Sequence, residues 1–106
     1  MKKLCTLEEL KEKLCLGFDT SGDGEQDIFL IYRDAQVYAY RNSCPHTGAP
    51  LNWVPDQFLA VNEPLIHCQN HDAFFQIEDG LCVGGPCPGE SLESVVVVVR
   101  DQAIFY

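Results

Sequence analysis

The chain has 106 residues, with 16 acidic against 7 basic side chains and a net charge of −9. That length provides for one domain with a modest core, and a hydrophobic share of 46% is ordinary for a globular protein. Charge of this sign repels nucleic acid and anionic membrane and attracts a basic partner, although acidity that merely keeps the chain soluble reads the same.

In chain order, Thr6 followed by Glu9 forms a capping-box pattern, and Leu7, Leu10 and Leu14 then line one helical face. The spacing predicts a short helix over about residues 7 to 14, its leucine stripe packed into the core, with Gly17 as the stop. The N-terminal stretch is amphipathic and charged, not continuously apolar, so it does not read as a secretory signal and a cytoplasmic location is expected. "DTSGDGEQD" (19–27) resembles the start of a calcium loop, but its twelfth position is Leu30 where a bidentate glutamate is needed. It reads as a surface turn.

Strands follow. "IFLIYR" (28–33), a turn at Asp34-Ala35 and "QVYAY" (36–40) predict a hairpin. "AFFQI" (73–77) leads through Glu78-Asp79-Gly80 into "LCV", and "SVVVVVR" (94–100) turns at Asp101-Gln102 into "AIFY" (103–106). β-branched and aromatic residues dominate each run. The valines 95–99 suit a buried strand and are far too few to span a membrane. The expected architecture is mostly antiparallel β with two long loops.

Those loops carry "CPHTGAPL" (44–51) and "CQNH" (68–71), each with one cysteine and one histidine. Six cysteines without a secretory signal favour metal ligation over a disulfide framework for at least some of them. Two thiolates and two imidazoles suit either zinc or an iron–sulfur cluster. Common zinc modules draw two cysteines and then two histidines from separate segments. Here each loop gives one of each, and facing loops could put both thiolates on one metal and both imidazoles on a second. His67 adjoins Cys68, and in an extended segment it faces the other way. It is left out of the ligand set.

"CPHTGAPL", "CQNHDAFFQIEDG" and "GGPCPG" together resemble the cluster loops and proline loop of Rieske-type [2Fe–2S] ferredoxins, and the likeness covers most of the chain. The resemblance implies an all-β fold over residues 1–106, an antiparallel Rieske-like β-sandwich with a small cluster-binding subdomain and one short helix. Its cluster loops would lie at about 43–52, 67–75 and 83–89. It also implies one [2Fe–2S] cluster, with Cys44 and Cys68 on the inner iron and His46 and His71 on the outer one. A structural zinc module is the alternative.

Respiratory-complex Rieske proteins resemble this chain but brace the two loops with a disulfide, and the matching positions here are Ala49 and Asn70. Where they carry a serine and a tyrosine whose hydroxyls bond cluster sulfur and a ligand cysteine, this chain has Ala73 and Phe75. Asp72 replaces a usual glycine; aspartate tolerates a left-handed backbone, and its charge disfavours reduction. Fewer donors and an added carboxylate predict a midpoint potential of about −150 mV, near the low end of the Rieske range. Gly84, Gly85 and Pro86 match the loop that caps the cluster. Most of Cys5, Cys15, Cys82 and Cys87 read as small buried hydrophobes; Cys82 and Cys87 could pair, but a cytoplasmic protein gives little reason to expect it.

A Rieske oxygenase also needs a mononuclear iron held by two histidines and a carboxylate, and only His67 is left over. No Gly-rich nucleotide fingerprint is present. The expectation is therefore a non-catalytic one-electron carrier between a reductase and a terminal oxygenase or reductase, with no nucleic-acid or membrane partner. A small non-catalytic subunit of a larger oxidoreductase, such as a nitrite reductase, is the alternative.

Overall fold

The computed structural model describes residues 2–45, 48–70, 72–87 and 89–106. Among the described residues, nine short strands and one helix follow in the order β1 (Lys3–Thr6), α1 (Leu7–Lys13), β2 (Cys15–Phe18), β3 (Ile28–Arg33), β4 (Gln36–Arg41), β5 (Leu65–Cys68), β6 (Ala73–Gln76), β7 (Cys82–Gly84), β8 (Val98–Arg100) and β9 (Ala103–Phe105). They form three antiparallel three-stranded sheets, ordered β1-β9-β8, β2-β3-β4 and β5-β6-β7. The expected antiparallel architecture holds.

The β3–β4 hairpin has the register anticipated from its sequence, Ile28 opposite Arg41 through Arg33 opposite Gln36. Asp34 and Ala35 both take positive φ (52° and 63°), and Asp101-Gln102 repeats this between β8 and β9 (51° and 63°). Two positive φ values in a two-residue turn match the twist of the flanking strands. The capping box also holds: Glu9 N–H donates to the Thr6 hydroxyl at 3.1 Å and Thr6 N–H donates to the Glu9 carboxylate at 2.9 Å.

Three expectations need correction. Gly17 does not stop the helix. Leu14 does, at φ 72°, its N–H returning to Leu10 O, and Gly17 lies inside β2. A Cβ there would meet the Gln26 side chain at 2.3 Å. Nor does Leu14 belong to the buried stripe: Leu10 is fully buried, whereas Leu14 is 49% exposed because the chain turns back at that residue. Finally, the valine run is not a buried strand. Only Val98–Arg100 pairs regularly, Val96 and Val99 are exposed, and Val95 and Val97 pack inward. β8 belongs to an antiparallel sheet that packs one face on the core and leaves the other open to water.

β3 divides the interior. Ile28, Phe29, Leu30 and Ile31 are all fully buried, and successive side chains serve opposite sides. Leu30 packs with Cys5, Leu10, Ala39 and Ile104. Phe29 and Ile31 join Tyr40, Leu51, Phe58, Ile66, Phe75 and Ile77 on the side where the two long loops meet, with Phe29 stacked on Phe58 at 4.3 Å. Tyr40 reaches across this second core to donate its hydroxyl to Ile77 O at 2.6 Å.

Candidate metal centre

The loop after β4 is fixed at its root by Asn42, a buried side chain. Its amide donates to Gln26 O and Asn52 Oδ1 at 2.8 Å each, and its carbonyl accepts from Leu51 N–H at 2.7 Å. Both ends of the loop are thereby tied to one residue. Within it, Cys44 N–H donates to Ala49 O at 2.8 Å and Gly48 N–H donates to Cys44 O at 2.6 Å, which curls the backbone around Cys44. Gly48 supplies the positive φ (79°) that this tight return requires.

The second loop leaves β5 at Cys68. Alternation along that strand buries Ile66 and Cys68 and leaves His67 partly exposed on the opposite face, as anticipated. His67 stacks on Phe74 at 4.7 Å, and its Nε2 lies 3.0 Å from Asp72 Oδ1. Asp72 adopts φ 51°, the left-handed conformation foreseen for it. Its carboxylate meets His67.

Among the described residues, hydrogen bonds join the two loops. Gln69 N–H donates to Leu51 O at 2.8 Å, and Trp53 N–H donates to Gln69 Oε1 at 2.6 Å. The Asn70 amide donates to Pro50 O at 2.7 Å, while its oxygen accepts from the Trp53 indole N–H at 2.6 Å. Asn70, one of the two positions where respiratory relatives place the disulfide, thus bridges the same loops without covalent chemistry. Sequence patterning gave no sign of this clamp, because Trp53 and Asn70 belong to no periodic run and their pairing exists only in the fold.

The third loop packs on the second. A Cβ at Gly85 (φ 92°) would lie 2.6 Å from Ala73 Cα and 2.7 Å from Asp72 O, so backbone meets backbone here. Cys82 and Cys87 flank this loop. Burial raises the Cys87 thiol to about 12, with further upward pushes from its hydrogen bond to Cys82 and from the charges of Cys82, Cys44 and Glu90. Cys5 is likewise raised to about 11, first by burial and then by Glu9. All four cysteines outside the two motifs are buried, as expected.

Cys44 and Cys68 are fully shielded from water and belong to one core cluster with Ala73, Phe75, Cys82 and Cys87. His46 and His71 lie outside the described residues, so the described share of the expected donor set is its two thiols. Two dry thiols at the ends of mutually bonded loops fit the sulfur-bound side of an iron–sulfur centre. Ala73 and Phe75, both fully buried, bring no hydroxyl to it.

The Rieske [2Fe–2S] domain model matches residues 1–102. Among solved structures, the ferredoxin of carbazole 1,9a-dioxygenase from Nocardioides aromaticivorans IC177 is 27% identical, with a TM-score of 0.70 over 99% of this chain and 96% of that one. A chain from a complex of reduced oxygenase and oxidized ferredoxin in carbazole 1,9a-dioxygenase is 19% identical, with a TM-score of 0.72 over 97% of each chain. A protein assigned as the small subunit of an NADPH nitrite reductase is 24% identical, with a TM-score of 0.61 over 96% of this chain and 92% of that one. These last two share the fold. Comparison with curated proteins found no match. The match sets aside the zinc alternative: the chain belongs to the Rieske [2Fe–2S] domain family, and its cofactor is one [2Fe–2S] cluster.

Proposed function

We propose that this chain, as a single unit over residues 1–106, is a Rieske-type ferredoxin that carries one electron from a reductase to an oxygenase or another terminal oxidoreductase. Cys44 and Cys68 would hold the inner iron, and His46 and His71 the outer one. The observation that carries the reading is the burial of Cys44 and Cys68 in one core cluster beneath two hydrogen-bonded loops. When bound, the cluster supplies a one-electron donor and acceptor.

The chain's own residues contribute shielding and stiffness. Phe75, Ala73 and Leu51 exclude water from the sulfur side, and Asn42 and Asn70 fix the loops that deliver the ligands. A rigid, dry ligand set limits the rearrangement that accompanies a change in charge. The ferredoxin of the Nocardioides dioxygenase, matched over nearly its whole length, supports a free carrier. The net charge of −9 supports a partner with a basic docking face, met in the cytoplasm. Among the described residues, no helix is long and apolar enough to cross a membrane.

The test is electron paramagnetic resonance on anaerobically purified, dithionite-reduced protein, with a rhombic Rieske signal expected. His71→Cys should retain a cluster but shift its spectrum towards four-cysteine ligation; an unchanged spectrum removes His71 from the ligand set. Stopped-flow reduction by a ferredoxin reductase should slow steeply as salt rises. Likeness to the nitrite reductase small-subunit protein favours a second reading, a fixed subunit of a larger oxidoreductase. Co-purification as a stable complex would select it over the free carrier.

A further inference from the structure

We propose that Cys82 and Cys87 are a dithiol–disulfide couple that staples the third loop. The Cys87 thiol donates to Cys82 Sγ at 2.9 Å, and Cys82 Sγ bonds onward to Gly84 O at 3.2 Å. Closing to a disulfide of about 2.05 Å asks for a sulfur movement of only about 1 Å. The flanking backbone already holds the two residues together, since Cys82 N–H donates to Glu90 O at 2.8 Å and Glu90 N–H donates to Cys87 O at 3.1 Å. The remaining cysteines have other places: Cys5 lies in the other core, Cys15 donates to Asp56 O, and Cys44 and Cys68 belong to the proposed ligand set.

The oxidant is a low-molecular-weight disulfide of the glutathione class. One cysteine, as thiolate, attacks it to give a mixed disulfide and releases one small thiolate. The second cysteine displaces the other small thiol. Two protein thiols and one small disulfide become one protein disulfide and two small thiols, with two electrons passing from the protein sulfurs to the oxidant. Both cysteines are almost fully buried (4% and 2% exposed), so exchange proceeds through local opening of the loop between them.

That loop, 83–86, includes Gly85, whose backbone presses on Asp72 and Ala73 of the second loop. Closing the six-residue ring 82–87 restricts the opened loop and slows release of iron. This consequence rests on the cluster position proposed above, whereas the thiol chemistry does not.

The experiment equilibrates anaerobic holoprotein across reduced-to-oxidised glutathione ratios, quenches in acid, unfolds, alkylates and weighs the chain. All six cysteines should react at the reducing end. Two fewer should react at the oxidising end, the missing pair mapping to residues 82 and 87. Cys82→Ser and Cys87→Ser should each show the same thiol count at every ratio, with alanine as the replacement wherever serine unfolds the buried site. Iron release to a chelator should be about tenfold slower in the oxidised form, within the entropic ceiling of so small a ring. Full alkylation at every ratio, or loss of a different pair, overturns the couple; a disulfide that leaves iron release unchanged overturns the staple. Protein without iron defeats the electron-carrier reading yet still reports the thiol count.

Discussion

Asn70→Ala tests whether hydrogen bonds do here what a disulfide does in respiratory relatives. The substitution deletes the amide donor to Pro50 O (2.7 Å) and the acceptor for the Trp53 indole (2.6 Å). Each bond contributes about 0.5–1.5 kcal/mol net, and both lie near solvent, so the pair should be worth about 1–2 kcal/mol. In a chain of this size that lowers Tm by about 5–10 °C, read by calorimetry on the cluster-loaded protein. Trp53→Phe removes the indole N–H but keeps an aromatic ring, and Asn70→Asp keeps an acceptor for Trp53 while losing the donor to Pro50. The two Asn70 variants should therefore bracket the clamp, with aspartate the milder. A double-mutant cycle between Asn70→Ala and Trp53→Phe should return a coupling of about 0.5–1 kcal/mol. Strict additivity, or an Asn70→Ala Tm within about 1 °C of the parent, would refute the clamp.

Tyr40 is held neutral, its phenol raised to about 12 by burial and then by the charges of Asp79, Tyr38 and Glu78. A phenol titrating higher in the folded chain contributes stability that is complete below pH 10 and lost as pH rises from about 10 to 12. Tyr40→Phe should thus raise the alkaline unfolding midpoint in a circular-dichroism titration, while costing about 1–2 kcal/mol at neutral pH through the orphaned Ile77 carbonyl. Gly85→Ala should destabilise by about 2 kcal/mol or more, since backbone atoms block the new Cβ and φ is positive; a urea midpoint equal to the parent's contradicts the close approach of the third loop to the second. The midpoint potential should fall near −150 mV by voltammetry, and a value above about +200 mV rejects the link between missing hydroxyl donors and a low potential.

The legible parts of the fold were those whose instructions are local. A two-residue turn with aspartate first, between β-rich runs, twice marked a hairpin, and Thr6 with Glu9 marked the helix start. The misread parts depend on distant partners. "KLCT" and "CLGF" are too short to announce strands, and they become β1 and β2 only through β9 and β3. The valine run has the composition of a buried strand, but burial is decided by which neighbours arrive, and only β9 pairs with its regular part. The site divided in the same way. Cysteine and histidine types and spacing narrowed the chemistry to zinc or an iron–sulfur cluster and the family resemblance chose between them, while Asn42, Gln69, Asn70 and Trp53 carry ordinary polar and aromatic identities that mean little until the loops are side by side.

The positions where this chain departs from its respiratory relatives are coupled. A disulfide between the first and second loops would make their rigidity depend on the surrounding thiol poise, whereas the Asn70–Trp53–Pro50 clamp is indifferent to it. Asp72 in place of glycine accepts a left-handed backbone that costs about 1 kcal/mol for a side-chain-bearing residue, and its contact with His67, itself stacked on Phe74, offsets that cost. Gly85 must then be glycine, because the Asp72 carbonyl and Ala73 backbone leave no room for a Cβ. The second loop is therefore held from three directions: by the first loop through Gln69 and Asn70, by its own strand through His67, and by the third loop through Gly85. Cys82 and Cys87 sit at the base of that third support, so on the proposed couple thiol poise acts on the third loop and not on the first two.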